Sequence, residues 1–287
     1  MFSPNSARVL HLESTTVCQA SCPQCAREDS NLFAGQVAHL SVKNLQALFT
    51  ESQITSLDKV FMCGNFGDPA AGANTTEIYK WFRTINPTIT LGMNTNGALQ
   101  NTTWWKQIAE LFNQPEDYVV FSIDGLQDTN HIYRRGVVWD KLIENVEAFI
   151  GNGGNAIWDY IIFEHNQHQV EQAKQLAKQL GFNWFSTKVS KRGKLLEPHT
   201  GIDCHALKES SLYVSATGEL LPCCFLANNV FTRDSKIDKA LDTENFKGVI
   251  DSWDKDPLGP CSRICGVRDS ATPFEKQWTT HTRIEKG

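Results

Sequence analysis

The sequence predicts an α/β fold in which about six strand-then-helix units are followed by a small cysteine-rich domain. Two observations carry this prediction. Short apolar strand patterns alternate with helical patterns over the first two thirds of the 287 residues, and five of the nine cysteines fall in the last third. Such alternation is typical of parallel strands joined by right-handed helical crossovers. The loops at the carboxyl ends of the strands are then expected to carry the functional residues.

The predicted strands are short apolar runs, as in a parallel sheet that helices cover. They are Arg8–Ser14, Lys59–Cys63, Thr88–Met93, Tyr118–Ile123, Ile157–Phe163 and Trp184–Val189. The predicted helices have apolar residues at helical spacing. They are a helix that Ser41 caps, Thr75–Ile85, Trp104–Phe112, Lys141–Ile150 and Gln167–Leu180, which Gly181 ends.

The alternation stops near Lys191–Thr200, where we place a linker. The prediction is therefore a barrel-type domain of residues 1–195 and a second domain of residues 196–287. The tail has short strands and little apolar periodicity, so it is expected to need a metal centre for stability.

The composition is that of an ordinary globular protein, with 41% hydrophobic and 21% charged residues. No apolar stretch approaches the roughly 18–20 residues of a membrane helix, and the amino terminus lacks a secretory pattern. A cytoplasmic location is therefore expected, where cysteines bind metals or react as thiols rather than form disulfides. The net charge of −5 argues against a general nucleic-acid binder.

Three cysteines follow the first predicted strand with the spacing C-x3-C-x2-C, namely Cys18, Cys22 and Cys25. Zinc prefers four ligands in paired knuckles. Three thiolates without a local fourth favour an iron–sulfur cluster with one open iron, where a substrate or cofactor can bind. The alternative is a zinc ion that takes its fourth ligand from the tail.

This spacing resembles the signature of the radical S-adenosylmethionine (radical SAM) enzymes, which carry it after the first strand of a partial (β/α)6, TIM-like barrel. The resemblance implies that the three cysteines hold a [4Fe–4S] cluster whose fourth iron binds S-adenosylmethionine. It also implies one-electron reduction by a donor such as flavodoxin or ferredoxin. The product is a 5′-deoxyadenosyl radical, which removes a hydrogen atom from the substrate.

The segment from Cys63 to Pro69 resembles the family's Gly-Gly-Glu-Pro motif, whose backbone meets the methionine amino group. The resemblance implies cofactor contacts by Gly64, Asn65, Gly67 and Asp68, which stands where glutamate is usual. Glycine suits such a loop because it permits close backbone approach. Asp68 is alternatively an ordinary turn carboxylate.

Polar residues also end the third and fourth predicted strands, at Asn94 and at Ser122 and Asp124. By resemblance they contact the ribose and carboxylate of the cofactor; the alternative is turn or cap residues. Arg135 matches an arginine that pairs with the methionine carboxylate in relatives, and Arg134 is the alternative partner.

The tail pattern C-x13-G-x4-C, from Cys204 to Cys223, resembles the opening of the SPASM and twitch extensions of radical SAM enzymes. There a β-hairpin, here Leu212–Ser215 and Glu219–Leu221, carries two ligands of an auxiliary [4Fe–4S] cluster. The ligands that the resemblance implies are Cys204, Cys223, Cys261 and Cys265. Five tail cysteines suit the one-cluster twitch form better than the seven of a full SPASM domain, and a structural zinc ion is the alternative.

Three functions follow from these patterns. The first is a radical SAM enzyme that modifies a peptide or protein side chain. The second is the same chemistry on a small molecule, such as dehydrogenation of an amino-sugar alcohol. The third is a non-catalytic iron–sulfur protein for electron transfer, which the strand-end motifs of a cofactor cleft disfavour.

Three further residues have open roles. Gln24 stands where the family often has an aromatic residue beside the adenine, so we expect its backbone carbonyl to serve there. Cys63 and Cys224 remain after seven cysteines are assigned as ligands. Each is a candidate hydrogen-atom donor to a substrate radical. The simpler interpretation of Cys63 is a buried structural cysteine, and that of Cys224 is a packed or alternative-ligand residue beside the cluster.

Overall fold

The structure is a computed structural model, and it describes residues 1–25, 27, 36–190, 196–227, 235–267 and 278–284. Its centre is one nine-stranded sheet of order β8-β7-β1-β2-β3-β4-β5-β6-β9. The strands are β1 Val9–Leu12, β2 Lys59–Cys63, β3 Thr90–Thr95, β4 Tyr118–Ser122, β5 Ala156–Ile162, β6 Trp184–Val189, β7 Ser211–Val214, β8 Leu220–Leu221 and β9 Trp278–Arg283.

The helices of the described residues follow the strands in the α/β alternation that the sequence predicts. They are α1 Val42–Leu48, α2 Glu51–Thr55, α3 Thr75–Ile85, α4 Thr102–Leu111, α5 Asn130–Tyr133, α6 Trp139–Gly151, α7 Val170–Leu180, α8 His205–Lys208, α9 Ser235–Leu241 and α10 Lys247–Asp251. Ser41 caps α1 by accepting the Asn44 amide, and Gly181 ends α7 with a φ of 88°, as expected.

Strands β1 to β6 are parallel and adjacent in chain order, which is the topology of a partial barrel. Their carboxyl ends therefore meet at one edge. The apolar core lies between the sheet and its helices, where Trp105, Phe121, Phe149 and Trp158 are fully buried. Apolar side chains fill the body of the sheet, which leaves the polar strand ends to form a site.

The tail hairpin is confirmed, because β7 and β8 pair antiparallel. The hairpin also extends the barrel sheet, since β7 pairs in parallel with β1 from Val9 to Leu12. The opposite edge gains β9, which pairs antiparallel with β6. The predicted division at residue 195 stays a prediction, and residues 191–195 of the predicted linker lie outside the described part.

Candidate active site

A cavity of about 740 Å³ opens at the carboxyl ends of the parallel strands. It contains most of the residues that the sequence singled out for the first cluster and its cofactor. Those that line it are Cys18, Cys22, Gln24, Cys25, Cys63, Gly64, Asn65, Gly67, Asp68, Asn94, Ser122 and Cys224. Asp124 and Arg135 do not line it, whereas Arg134 does.

The loop after β1 presents the cysteine triad to this cavity. The Cys25 amide donates to the Cys22 carbonyl, and Gln24 between them has a φ of 62°, so the chain turns tightly there. Burial raises the pKa of Cys18 to about 12, although the Ala20 amide donates to its sulfur. The thiol is therefore protonated at neutral pH and loses its proton when a metal binds.

The donor set of this loop fits an iron–sulfur cluster. Three cysteine thiols line one cavity, and thiolates are the usual ligands of such clusters. Three cysteines leave the fourth iron of a [4Fe–4S] cluster without a protein ligand. Among the residues that the structure describes, no group of three His, Cys, Asp or Glu side chains is arranged to hold a single metal ion.

Glu13 holds the glycine loop that follows β2, and the sequence analysis did not identify it. Its buried carboxylate accepts the backbone amides of Asn65 at 2.7 Å, Gly67 at 3.0 Å and Phe66 at 3.3 Å. It also accepts the hydroxyl of Tyr213, which lies on β7 of the tail, at 2.8 Å. Burial nevertheless raises the pKa of Glu13 to about 7. The only signal in the sequence was a single acidic residue near the end of the predicted strand Arg8–Ser14.

The loop itself permits no side chain at its two glycines. A Cβ at Gly64 would lie 1.5 Å from the Gly67 carbonyl oxygen, and a Cβ at Gly67 would lie 2.0 Å from the Thr15 carbonyl oxygen. Asn65 also donates its side-chain amide to the Cys224 carbonyl at 3.1 Å. The loop is therefore packed against both the cysteine loop and the tail.

Asp68 connects this loop to the end of β3. It accepts the backbone amides of Ala70 and Asn96, the Asn96 side chain at 2.6 Å and the Thr95 hydroxyl at 2.8 Å. Asn96 in turn accepts the side-chain amide of Gln19 at 2.6 Å. Burial raises the pKa of Asp68, although these hydrogen bonds act to lower it. Its carboxylate thus aligns the strand-end loops with the cysteine loop, while its surface contributes to the cavity.

Of the two arginines that the sequence offered as partners of the methionine carboxylate, Arg134 lines the cavity and Arg135 does not. Arg134 Nε donates to Asp124 at 2.6 Å, and the other oxygen of Asp124 accepts the Ile161 amide at 2.7 Å. Asp124 is fully buried and so acts by orienting Arg134. Arg135 is exposed, and its carbonyl accepts the Ser21 amide of the cysteine loop.

Asp159 of β5 and Lys188 of β6 also line the cavity, and neither was identified from the sequence as a site residue. Their ion pair measures 2.9 Å between Nζ and Oδ2. The signal for Asp159 was a single acid in an otherwise apolar predicted strand.

The four predicted tail ligands, Cys204, Cys223, Cys261 and Cys265, lie around one small pocket of about 20 Å³. Burial raises the pKa of Cys223 to about 12 and that of Cys261 to about 11. The Trp253 indole acts in the opposite direction and lowers the pKa of Cys261. The buried Trp253 nitrogen has no oxygen or nitrogen partner among the described residues. Phe225 and Pro260 line both this pocket and the main cavity.

Comparison with known proteins supports the fold and shows the family. The family model of the Radical SAM superfamily matches residues 12–180. SuiB of Streptococcus suis bound to S-adenosylmethionine has a TM-score of 0.59 at 14% identity, over 88% of this chain and 64% of that one. SuiB bound to its precursor peptide SuiA gives 0.61 at 14% identity, over 91% and 72%.

Native anSMEcpe with bound AdoMet and Cp18Cys peptide has a TM-score of 0.58 at 14% identity, over 92% of this chain and 91% of that one. No curated protein sequence matches the chain significantly. Among the described residues, no helix has the length and apolar character needed to cross a membrane. The family model covers more than half of the 287 residues, and the chain belongs to the radical SAM superfamily.

Proposed function

We propose that this protein reductively cleaves S-adenosylmethionine and uses the resulting radical to remove a hydrogen atom from a peptide or protein side chain. The observation that carries the proposal is the shared cavity. The cysteine triad, the glycine loop and Arg134 line the same space, although they come from loops after different strands. An electron-storage protein does not need such a cleft beside its cluster.

Different residues of the cavity would bind the cluster and the different parts of the cofactor. Cys18, Cys22 and Cys25 would bind three irons and leave the fourth for S-adenosylmethionine. When bound, the cluster and S-adenosylmethionine together supply the 5′-deoxyadenosyl radical. Arg134 provides a fixed positive charge for the methionine carboxylate, and Asp124 keeps that guanidinium in place.

Other residues would shape the remainder of the cofactor site. The loop from Gly64 to Gly67 offers backbone groups to the methionine amine. Asn94 and Ser122 are placed at the strand ends for ribose and carboxylate contacts, and the Gln24 backbone for the adenine. The exposed position of Arg135 favours Arg134 over it as the carboxylate partner.

We also propose that the tail holds an auxiliary [4Fe–4S] cluster. Four cysteines around one pocket match the ligand number of such a cluster. The buried Trp253 indole N–H has no oxygen or nitrogen partner among the described residues, and Cys261 lies close to it, so it suits a hydrogen bond to a sulfur of the cluster. A zinc ion on the same four cysteines is the competing occupant.

A peptide substrate is favoured over a small molecule because two of the similar structures contain peptides, SuiB with SuiA and anSMEcpe with the Cp18Cys peptide. At 14% identity these structures are similar to this chain in fold alone. The small-molecule alternative, an alcohol such as an amino sugar, uses the same residues. An electron donor such as flavodoxin or ferredoxin would complete either system.

The test is cofactor cleavage by the anaerobically reconstituted and reduced protein. We expect slow formation of 5′-deoxyadenosine and methionine without substrate, and none when Cys18, Cys22 and Cys25 are all replaced by alanine. Replacing Cys204, Cys223, Cys261 and Cys265 instead is the matched control, because it removes four cysteines but leaves the triad. Wild-type protein that neither binds nor cleaves the cofactor under strong reductant would favour the non-catalytic iron–sulfur function.

Metal analysis of the same three proteins tests the second cluster. We expect about eight irons per wild-type chain, about four in the triad variant and about four in the tail variant, because each ligand set holds one [4Fe–4S] cluster. A wild-type chain with about four irons and one zinc ion would place zinc in the tail.

A further inference from the structure

The cavity contains a charged pair that makes none of the proposed cofactor contacts. Asp159 on β5 and Lys188 on β6 form an ion pair of 2.9 Å, and both line the cavity. Asp159 precedes Ile161 on a strand that runs towards the opening, so its side chain starts deeper in the barrel than that of Ile161. Cys63, at the end of β2, lines the same cavity as both partners. The pair therefore faces the interior of the barrel.

One oxygen of Asp159 lacks a donor. Oδ2 receives Lys188, but Oδ1 is buried and has no hydrogen-bond partner among the described residues. The other buried carboxylates at this site, Glu13, Asp68 and Asp124, receive a donor on both oxygens. A buried acceptor without a donor is destabilising, so a ligand that supplies a donor is favoured.

The charges indicate which ligand group fits. An ammonium group would be repelled by Lys188, and a carboxylate group would be repelled by Asp159. A hydroxyl is neutral, so neither charge repels it. Its hydrogen can be donated to Asp159 Oδ1, and its oxygen carries a partial negative charge that the lysine ammonium attracts. Ser122, proposed above for the ribose, is paired with Asp159 in the sheet register, so the test below has to separate a substrate hydroxyl from a ribose hydroxyl.

The hydroxyl could come from the substrate or from the cofactor ribose, and the strand order favours the substrate. The residues proposed for the cofactor follow β1 to β4. The pair belongs to β5 and β6, which contribute none of them. We propose that Asp159 and Lys188 bind a hydroxyl group of the substrate. This inference rests on the proposed function and adds a substrate class to it.

The test uses the reconstituted holoenzyme with two probes of equal backbone, N-acetyl-serine methylamide and N-acetyl-alanine methylamide. Binding is followed by saturation-transfer NMR, which needs no turnover. Transfer of deuterium from the β-carbon of each probe into 5′-deoxyadenosine reports approach to the reactive position. In the wild type we expect the serine probe to bind about tenfold more tightly than the alanine probe, the effect of one hydrogen bond to a charged group.

Asp159→Asn should remove this about tenfold preference, because it replaces the ion pair and its free acceptor with a neutral amide. Its affinity for S-adenosylmethionine should stay at the wild-type value. Asp117→Asn is the control: Asp117 is also buried and ion-paired, with Arg83, but it lies before β4 at the opposite end of the sheet. That variant should lose stability and keep the serine preference.

Two results would overturn the inference. Equal binding of both probes by the wild type would show that no hydroxyl site exists, whatever the stability of the variants. A loss of S-adenosylmethionine affinity in Asp159→Asn would assign the pair to the ribose. Failure of the wild type to make any 5′-deoxyadenosine would instead contradict the proposed function, and the NMR comparison would still decide whether the hydroxyl site exists.

Discussion

At the scale of single residues, the site depends on buried carboxylates that position other groups. Glu13, Asp68 and Asp124 are at most 5% exposed, and each fixes a loop or a side chain through hydrogen bonds. The sequence predicted Asp68 and Asp124 as site residues from their strand-end motifs. It could not predict Glu13, because its partners are 52 to 54 and 200 residues away in the chain. It favoured Arg135 over Arg134, whereas the structure exposes Arg135 and holds Arg134 at the cavity through its contact with Asp124.

Replacing Glu13 with glutamine is expected to weaken S-adenosylmethionine binding. The amide nitrogen of glutamine would face backbone donors that now meet a carboxylate, so the glycine loop would shift. We expect about a tenfold rise in the dissociation constant, measured by isothermal titration calorimetry, with unchanged iron content. Glu110→Gln, an exposed change on α4, is the control. Unchanged affinity in Glu13→Gln would show that the loop keeps its shape without the carboxylate.

Glu13 should also make folding stability depend on pH. Burial raises its pKa from 4.5 to about 7 in the folded chain. Between these values the folded chain retains a proton that the unfolded chain has released, so stability falls as pH rises through this window. Urea unfolding at about pH 5 and about pH 7.5 should show a larger loss for the wild type than for Glu13→Gln, which has no proton to lose there. An equal loss in both proteins would contradict the assigned shift.

The two remaining cysteines give a third residue-scale prediction. Cys63 and Cys224 both line the cavity, and burial raises the pKa of Cys63 to about 12, so it remains a thiol. We expect Cys63→Ala to keep its iron content and most cofactor cleavage, with a modest loss of stability from lost packing. Cys224→Ala should at most weaken the tail cluster. A variant that keeps both clusters and cofactor cleavage but forms no product would identify that cysteine as the hydrogen-atom donor.

At the scale of elements, the strands were predictable because apolar runs mark them directly. Strands β2 and β6 have the predicted bounds, and the other four barrel strands begin or end within two residues of them. The pairing partners of the tail were not predictable in the same way. The hairpin turn is a local signal, whereas the contact between β7 and β1 joins segments about 200 residues apart. The sequence also gave no indication of β9.

The glycine loop is the element whose shape is most restricted. Gly67→Ala would place a Cβ 2.0 Å from the Thr15 carbonyl oxygen, so the loop must move away from the cysteine loop. We expect at least about a tenfold loss of S-adenosylmethionine affinity and a lower melting temperature. Gly151→Ala at the end of α6 is the matched control, because its Cβ would meet no atom within 4 Å. Wild-type affinity in Gly67→Ala would show that the loop is not part of the cofactor site.

At the scale of the whole molecule, the tail and the barrel share one sheet and one polar network. Strand β7 covers the edge of β1, and Tyr213 on β7 completes the hydrogen bonds of Glu13. Asn65 connects the glycine loop to the Cys224 carbonyl. The tail is thus a structural part of the proposed cofactor site, in addition to any cluster that it holds.

A chain of residues 1–195 is therefore expected to be unstable alone. Its β1 edge would lose its partner, and an unpaired strand edge favours aggregation. Soluble yield and sedimentation velocity should show aggregated or unfolded protein. The full chain with Cys204, Cys223, Cys261 and Cys265 replaced by serine is the control, since it lacks the thiols but keeps β7. A monomeric, folded 1–195 fragment that binds S-adenosylmethionine would show that the barrel does not need the tail.

Cys223 and Cys224 are neighbours in the chain, but their side chains line two different cavities. Cys223 lines the tail pocket, Cys224 lines the main cavity, and the extended backbone at Cys223 (φ −160°, ψ 164°) turns successive side chains to opposite sides. An insertion or deletion of one residue here would turn each of these side chains towards the opposite cavity. A change of chain length at this dipeptide would therefore disturb the tail pocket and the main cavity together, because one backbone register sets both.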